Sequence, residues 1–217
     1  MAQPAGSVRG MAPSIAQQER AALCDLLLEL GPDAPTLCEG WTTADMAAHL
    51  VVRERRPDAA PGILLPPFSG WTTRVMEGEK ARGLDAMVQT LRSGPPPPLS
   101  LVDSLINTQE YVIHHEDVRR ANGMGPREGI DDVQAAIAQS LRRQARLLAR
   151  GMGDTGLVLV LPNGETITAH GGEPAANLIG PPVELALYLT GRKDAAVVEM
   201  EGQRDKVETL RNAKLGL

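Results

Sequence analysis

Aromatic side chains and cysteines are scarce in this sequence of 217 residues. Phenylalanine, tryptophan and tyrosine make up only 2% of it, so it offers no series of aromatic platforms on which single-stranded bases could stack. Cys24 and Cys38 are too few for a disulfide framework and lack the CxxC spacing of a zinc ribbon or a redox motif. We therefore expect aliphatic cores, in a protein of the reducing cytoplasm.

Concentrated positive charge and long apolar runs are also missing. The net charge is −5, and acidic residues accompany many of the arginines, which argues against a nucleic-acid partner. No stretch approaches the roughly 20 apolar residues of a membrane span, and the N-terminus has no continuous apolar signal core. We therefore expect a soluble, unexported protein without a nucleic-acid partner.

Hydrophobic residues make up 42% of the chain, and their spacing predicts an α+β protein in three segments. A disordered N-terminal extension is expected over residues 1–12, with Met11 as an alternative start. Helical periodicity predicts a helical bundle over residues 13–150, and strand patterns around an Asn-Gly turn predict a small α+β domain over 151–217. The predicted helices cover residues 14–30, 42–54, 72–91 with a break near Gly83, 101–122, 131–150, 181–190 and 203–213, and the predicted strands cover 157–161, 166–170 and 195–200.

The helix predicted over residues 101–122 carries a pair of metal-ligand side chains. Glu110 and His114 are four residues apart, so both project from one face of a helix and can reach one ion. A third ligand must come from elsewhere, and His49 is the best donor, two turns into a helix that Thr42 and Asp45 begin with a capping box. A hydrogen-bonded core histidine is the alternative interpretation of His49.

Three motifs in this order resemble the mycothiol-dependent maleylpyruvate isomerase N-terminal family of the DinB-like metal-binding superfamily. They are the stretch Leu37–Leu50 with Gly40-Trp41-Thr42 and His49, the pattern Glu110-x-x-x-His114-x-x-Asp117, and the segment Leu185–Arg192 that ends in Gly-Arg. The surroundings of Arg53 and of His114 resemble an actinobacterial subgroup that is described only as metal-binding.

The resemblance implies a DinB-like four-helix bundle, a divalent metal held by His49, Glu110 and His114, and mycothiol as a thiol cosubstrate. Two imidazoles and one carboxylate suit Zn²⁺, and three protein ligands leave a coordination position open, as catalytic zinc sites do. Ni²⁺ and Fe²⁺ fit the same ligands.

Four residues around the predicted ligands are candidates for supporting roles. Arg53, one turn after His49, and Arg192 are predicted to bind substrate; the structural alternatives are a solvated helix face for Arg53 and a helix-terminal position for Arg192. His115 is rotated by about 100° from the neighbouring ligand and is assigned a supporting or structural role, as is Asp117. Asp117 and Glu116 either orient an imidazole or pair with Arg119 and Arg120, and no catalytic residue is assigned.

The predicted function is that of a metal-dependent thiol transferase or isomerase, in which mycothiol attacks a small electrophile. A non-catalytic metal- or small-ligand-binding protein and a metal-dependent hydrolase are the alternatives. The expected partners are a small-molecule substrate and a low-molecular-weight thiol, and a homodimer stays open.

Overall fold

The structure, a computed structural model, describes residues 12–216. The extension predicted over residues 1–12 and the alternative start at Met11 therefore lie outside the described residues, apart from residue 12. The described chain begins with a helical part and ends with a four-stranded sheet and two further helices, which confirms the α+β fold class.

The described residues form the following elements. The helices are α1 (Ile15–Leu30), α2 (Thr43–Arg55), α3 (Pro61–Leu64), α4 (Ser69–Lys80), α5 (Leu84–Arg92), α6 (Asp103–Ala121), α7 (Asp131–Leu148), α8 (Pro182–Leu189) and α9 (Arg204–Asn212). The strands are β1 (Gly156–Val160), β2 (Thr166–His170), β3 (Ala175–Ile179) and β4 (Glu199–Glu201).

Local sequence signals fix the helix boundaries around the site. Thr42 caps α2 by accepting from the backbone N–H of Asp45, whose carboxylate accepts the N–H of Thr42 in return, which confirms the predicted capping box. The break predicted near Gly83 is also present, since Gly83 has a φ of 85° and separates α4 from α5. His49 is thereby placed in the middle of α2.

Helix α6 lies between two hydrophobic cores and contributes to both. Tyr111 and Val118 pack into a core with α1, α2 and α5, whereas Val112 and Ile113 pack into a core with α7, α8 and the sheet. Because opposite faces of α6 are covered, its polar side chains are buried as well and must find partners inside the protein. Of the two predicted metal ligands on α6, His114 belongs to this buried polar set and Glu110 is half-buried.

The sheet has the strand order β2-β1-β3-β4, in which β1 and β3 are parallel and the other two pairs are antiparallel. The predicted hairpin around Asn163-Gly164 is present as β1 and β2. Strand β3 was not predicted, and the strand expected over residues 195–200 is wrong in its first part. The backbone N–H groups of Ala195 and Ala196 donate to the carbonyl of Arg192 in a turn, so only Glu199–Glu201 pairs with β3.

Helix α7 packs on the sheet and on α8, with Ile137, Leu141 and Leu148 in the core that these elements share. The domain boundary placed at residue 150 stays a prediction. Among the residues that the structure describes, no helix combines the length and the apolar character that a membrane crossing requires.

Candidate metal centre

The three side chains predicted as metal ligands lie together. His49 comes from α2, and Glu110 and His114 come from α6; the Nε2 atom of each histidine is 3.3 Å from Oε1 of Glu110. One ligand atom from each of the three lies within 4.8 Å of the others. Two imidazole nitrogens and a carboxylate oxygen thus converge on one point and could hold a metal ion.

The imidazole rings are fixed by packing. His49 is 6% exposed and His114 is 8% exposed, and their ring centroids are 5.1 Å apart in an edge-on arrangement. The ring centroid of Trp41 also lies 5.1 Å from that of His49, with the two rings tilted by 53°. A site with so little rotational freedom presents its ligand atoms without a large ordering cost.

Asp117 sets the orientation of His114. Its Oδ2 atom is 2.8 Å from Nδ1 of the imidazole, and its side chain is fully buried. A carboxylate that accepts the Nδ1–H leaves the Nε2 lone pair free for a cation on the opposite side of the ring. Asp117 thus lies directly behind His114, and its supporting role stays a prediction.

The electrostatics of the centre favour an ionised carboxylate. Burial would raise the pKa of Glu110, but the bonds with His114 and His49 and the charge of Arg53 outweigh it and hold that pKa well below its usual value. Burial lowers the pKa of His49, whereas the pKa of His114 is raised because its bonds with Asp117 and Glu110 outweigh its burial. A divalent cation requires an anionic carboxylate and neutral imidazoles, so Glu110 and His49 already favour the required form, whereas His114 must lose a proton when a cation binds.

The sequence matches no protein-family model and no curated protein. Among solved structures, a crystal structure of a mycothiol-dependent maleylpyruvate isomerase matches 85% of this chain and 90% of its own, with a TM-score of 0.54 and 16% identity. The chain has the fold of that isomerase. A mutant structure of a mycothiol-dependent maleylpyruvate isomerase matches over the same shares, at 16% identity and a TM-score of 0.47. The resemblance seen in the motifs is thus supported at the level of the isomerase fold.

Arg192 reaches the centre from the C-terminal part of the isomerase fold, but it contacts Asp117 rather than a ligand atom. Its guanidinium donates to both oxygens of Asp117, at 2.8 and 2.7 Å, and to the carbonyl of Thr190 at 2.7 Å. It also lies 3.4 Å from the sulfur of Cys38, which is 3.5 Å from Asp117. Cys38, Asp117 and His114 form a second group of ligand atoms within 4.8 Å, on the Nδ1 side of that histidine.

Arg53 holds Glu110 from the other side. Its Nε atom is 3.0 Å from Oε1 of Glu110, and its remaining nitrogens donate to the side chain of Asn107 and to the carbonyl of Ile106. Both arginines predicted to bind substrate therefore have structural partners, and both also line the cavity described below. A substrate role for Arg53 and Arg192 stays a prediction.

His115 and Glu116 point away from the centre. The Nδ1 atom of His115 is 2.9 Å from Glu19, and both Glu19 and Glu116 accept hydrogen bonds from Arg127. Glu116 also pairs with Arg120 at 2.7 Å, as one of the two sequence interpretations predicted. The structure brings Asp117 to the ligands but not His115.

A cavity of about 300 Å³ opens beside the ligands. One face of α6 forms its floor, and α2, α7, the loop after α8 and the segment after α9 supply its walls. The lining includes Ile106, Gln109, Glu110, Ile113 and His114 from α6, and Gln144 and Leu148 from α7. A volume at the lower end of the range for ligand sites suits a small molecule.

Sequence reasoning missed the carboxamides of this cavity. Gln109 directly precedes Glu110, and Gln144 lies on the apolar side of α7, one turn after the buried Ser140. Ser140 and Gln144 interrupt an otherwise apolar stripe of α7. Polar side chains on a core-facing stripe need a partner, so these two residues were the sequence signal for a polar site on this helix.

Proposed function

We propose that the protein is a metal-dependent enzyme of the mycothiol-dependent thiol transferase or isomerase type, acting on a small electrophile. The observation that carries this proposal is the convergence of His49, Glu110 and His114 beside a cavity, in a chain with the fold of a mycothiol-dependent maleylpyruvate isomerase. Mycothiol is the proposed cosubstrate, and the motifs at Leu37–Leu50 and Leu185–Arg192 support membership of that family.

Zinc is the proposed metal, because two imidazoles and one carboxylate are ligands it prefers and because three protein ligands leave a position open. Ni²⁺ and Fe²⁺ remain alternatives for the same donor set. Bound at these ligands, zinc would supply a Lewis acid that favours the thiolate form of a coordinating thiol.

The side chains around the ligands keep them in place for this role. Asp117 accepts from Nδ1 of His114, so that Nε2 faces the cavity side, and Arg192 fixes both carboxylate oxygens of Asp117. Arg53 holds the carboxylate of Glu110 through a single contact, between its Nε atom and Oε1. Contacts with Asp117 and Arg53 keep the side chains of His114 and Glu110 in place when a ligand enters, and catalysis requires ligands whose positions are fixed.

Further assignments are parts of the same proposal. We interpret α1, α2, α5 and α6, which share one core, as the four helices of the DinB-like bundle. The division into residues 13–150 and 151–217, a cytoplasmic location and an actinobacterial origin are proposed on sequence grounds, and a homodimer stays open.

Metal analysis tests the centre. Elemental mass spectrometry of protein purified without added metal should find about one equivalent of zinc in the wild type, and little in His49→Ala, Glu110→Ala or His114→Ala. The matched control is His170→Ala, because His170 binds the carbonyl of Thr155 in the sheet and lies outside the centre. Full metal content in all three variants, with helical circular dichroism retained, would remove these residues from the site.

A thiol assay tests the activity. Mycothiol is incubated with a panel of small electrophiles, and the remaining thiol is labelled with monobromobimane and counted. The proposal predicts thiol consumption or thiol-dependent isomerisation that disappears with chelator and returns with zinc. Metal-dependent turnover without thiol would point to a hydrolase, and metal binding without turnover would point to a binding protein.

A further inference from the structure

Two arginines flank the candidate metal centre, and they bind their carboxylates differently. Arg192 contacts both oxygens of Asp117, through Nε and Nη2. Arg53 contacts Glu110 through Nε alone, at 3.0 Å from Oε1. Because a guanidinium usually binds a carboxylate with two nitrogens, other partners must hold the remaining nitrogens of Arg53.

The side chain of Asn107 and the backbone carbonyl of Ile106 are these partners. Nη1 of Arg53 donates to Oδ1 of Asn107, and Nη2 donates to the carbonyl oxygen of Ile106 at 3.1 Å. Asn107 lies on α6 about one turn before Glu110 and is 1% exposed. Both terminal nitrogens of Arg53 are thereby engaged by acceptors other than Glu110.

Two buried carboxylates fix the orientation of the Asn107 carboxamide. Its Nδ2 atom donates to Oδ1 of Asp103 at 2.7 Å and to Oε1 of Glu54 at 3.2 Å. Ionised carboxylates only accept hydrogen bonds, so a carboxamide rotated by half a turn would place its own oxygen against them. Arg20 keeps both in position, at 2.6 Å from Asp103 and 2.7 Å from Glu54. Oδ1 of Asn107 must therefore face Arg53.

We infer that Asn107 is a positioning residue of the metal centre, which restrains the guanidinium of Arg53 so that one oxygen of Glu110 stays available to a divalent cation. The restrained Arg53 presents only Nε to Glu110. Its contact and those of His49 and His114 all involve Oε1, so Oε2 lies outside this set of contacts.

Loss of the Asn107 carboxamide would remove this restraint. The guanidinium of Arg53, left with the carbonyl of Ile106, is then free to turn and to bind Glu110 with two nitrogens. Both carboxylate oxygens would be occupied, and more of the guanidinium charge would stand beside the cation position. The inference rests on the proposed function for the presence of a divalent metal, whereas the restraint on Arg53 is a property of the metal-free protein.

NMR of the arginine side chains tests the restraint on metal-free protein. In proton–nitrogen correlation spectra, hindered rotation should give separate Nη1 and Nη2 signals for Arg53, which Arg53→Met identifies by their absence. Asn107→Leu keeps the size of the side chain but removes both polar groups, and it should shift or average these signals. The matched control is Asn122→Leu at the end of α6, whose carboxamide binds the backbone carbonyls of Pro35 and Val118. It should leave the Arg53 signals unchanged.

Zinc affinity, measured by competition with a chromogenic chelator, tests the consequence for the centre. Asn107→Leu should weaken zinc binding about tenfold, the lower end of the effect of a residue behind a ligand, and Asn122→Leu should not. The double variant Asn107→Leu/Arg53→Met should bind zinc within about twofold of Arg53→Met alone, because Asn107 acts through Arg53. An Asn107 with a purely structural role would weaken binding equally with and without Arg53.

Asn107→Ser is a second variant, because serine can still donate to a carboxylate but is too short to reach Arg53; it should give the same two results. The inference is overturned if the Arg53 signals are the same in wild type and in both Asn107 variants. It is also overturned if zinc affinity is unchanged in these variants, or falls equally whether or not Arg53 is present. Wild type that binds no zinc would contradict the proposed function instead, and the spectra of metal-free protein would still decide whether Asn107 restrains Arg53.

Discussion

The guanidinium of Arg192 forms a bidentate ion pair with the carboxylate of Asp117, with Nε 2.8 Å from Oδ1 and Nη2 2.7 Å from Oδ2. Asp117 in turn holds Nδ1 of His114 at 2.8 Å. Arg192, in the C-terminal part of the chain, is therefore linked through the carboxylate of Asp117 to His114, a predicted metal ligand on α6. Burial would raise the pKa of Asp117, but His114 and Arg192 outweigh it and lower that pKa to about 2.

Arg192→Ala is expected to weaken zinc binding about 10- to 100-fold, the usual effect of removing a partner behind a ligand. It also leaves a fully buried carboxylate without its arginine, which should lower the free energy of unfolding by about 3–5 kcal/mol. Competition with a chromogenic chelator measures the first effect, and urea unfolding of metal-free protein measures the second.

The control for Arg192→Ala is Arg142→Ala. Arg142 makes the same two-pronged contact with Glu165, at 2.8 and 2.8 Å, but on the exposed surface. Its loss should change the unfolding free energy by about 1 kcal/mol or less and leave zinc affinity unaltered. If Arg192→Ala and Arg142→Ala bind zinc equally well, Arg192 does not act through Asp117 on the centre.

The parts of the centre that could be predicted from sequence are those with a local geometric rule. Glu110 and His114 share a helix face because they are four residues apart, and Thr42 with Asp45 sets the start of the His49 helix. The contact between Arg192 and Asp117 spans 75 positions of the chain, and no local rule connects them. It depends on how the loop after α8 packs against α6.

Strand β3 is another feature that tertiary contacts determine and that its own sequence does not predict. Its sequence, Ala-Ala-Asn-Leu-Ile, contains alanine and asparagine, which have low strand propensity. It is a strand because β1 and β4 supply hydrogen bonds on both of its edges. The direction of His115, for which a supporting or structural role is predicted, depends on tertiary packing as well, since its side chain turns to Glu19 on α1.

A second buried ion cluster predicts a pH dependence of stability. Arg20 donates to both oxygens of Asp103, at 3.0 and 2.6 Å, and to Glu54 at 2.7 Å. Burial would raise the pKa of Asp103, but the bonds from Arg20 and Asn107 outweigh it and keep that pKa below its usual value. A carboxyl whose folded pKa is lowered stabilises the fold above its unfolded pKa of about 3.9 and loses that contribution as the pH falls through the folded value.

Asp103→Asn should therefore lower the free energy of unfolding by about 1.5–3 kcal/mol at pH 7, the strength of hydrogen bonds to a charged group. The difference from wild type should shrink progressively below about pH 4. Urea unfolding across that range measures it. Asp25→Asn is the control, because Asp25 pairs with Arg92 on the exposed surface; an equal loss at both positions, or a difference that grows in acid, would contradict the prediction.

The two cysteines should differ in reactivity. Cys24 is 1% exposed in the core of α1, α2, α5 and α6, and burial raises its pKa to about 11, whereas Cys38 is half-buried. At pH 7.5, only about one in three thousand thiols of that pKa is ionised to the reactive thiolate. Iodoacetamide labelling followed by mass spectrometry should modify Cys38 in native protein and Cys24 only after unfolding. The fast reaction should disappear in Cys38→Ser, and its disappearance in Cys24→Ser instead would contradict the burial of Cys24.

Gly151 lies where the chain leaving α7 passes the segment that closes the cavity. A Cβ at this position would stand 1.8 Å from the carbonyl oxygen of Lys214, next to the cavity residues Leu215 and Gly216. Since the obstacle is backbone, Gly151→Ala must push residues 214–216 away, at a cost of about 1–3 kcal/mol in the free energy of unfolding.

The control is Gly78→Ala in α4, where no atom outside the helix backbone lies within 4 Å of the added Cβ and alanine should stabilise the helix by about 0.5–1 kcal/mol. Urea unfolding of both variants measures the contrast. Equal stability of Gly151→Ala and wild type would show that the segment after α9 does not pack where the structure places it, and would remove that wall from the cavity.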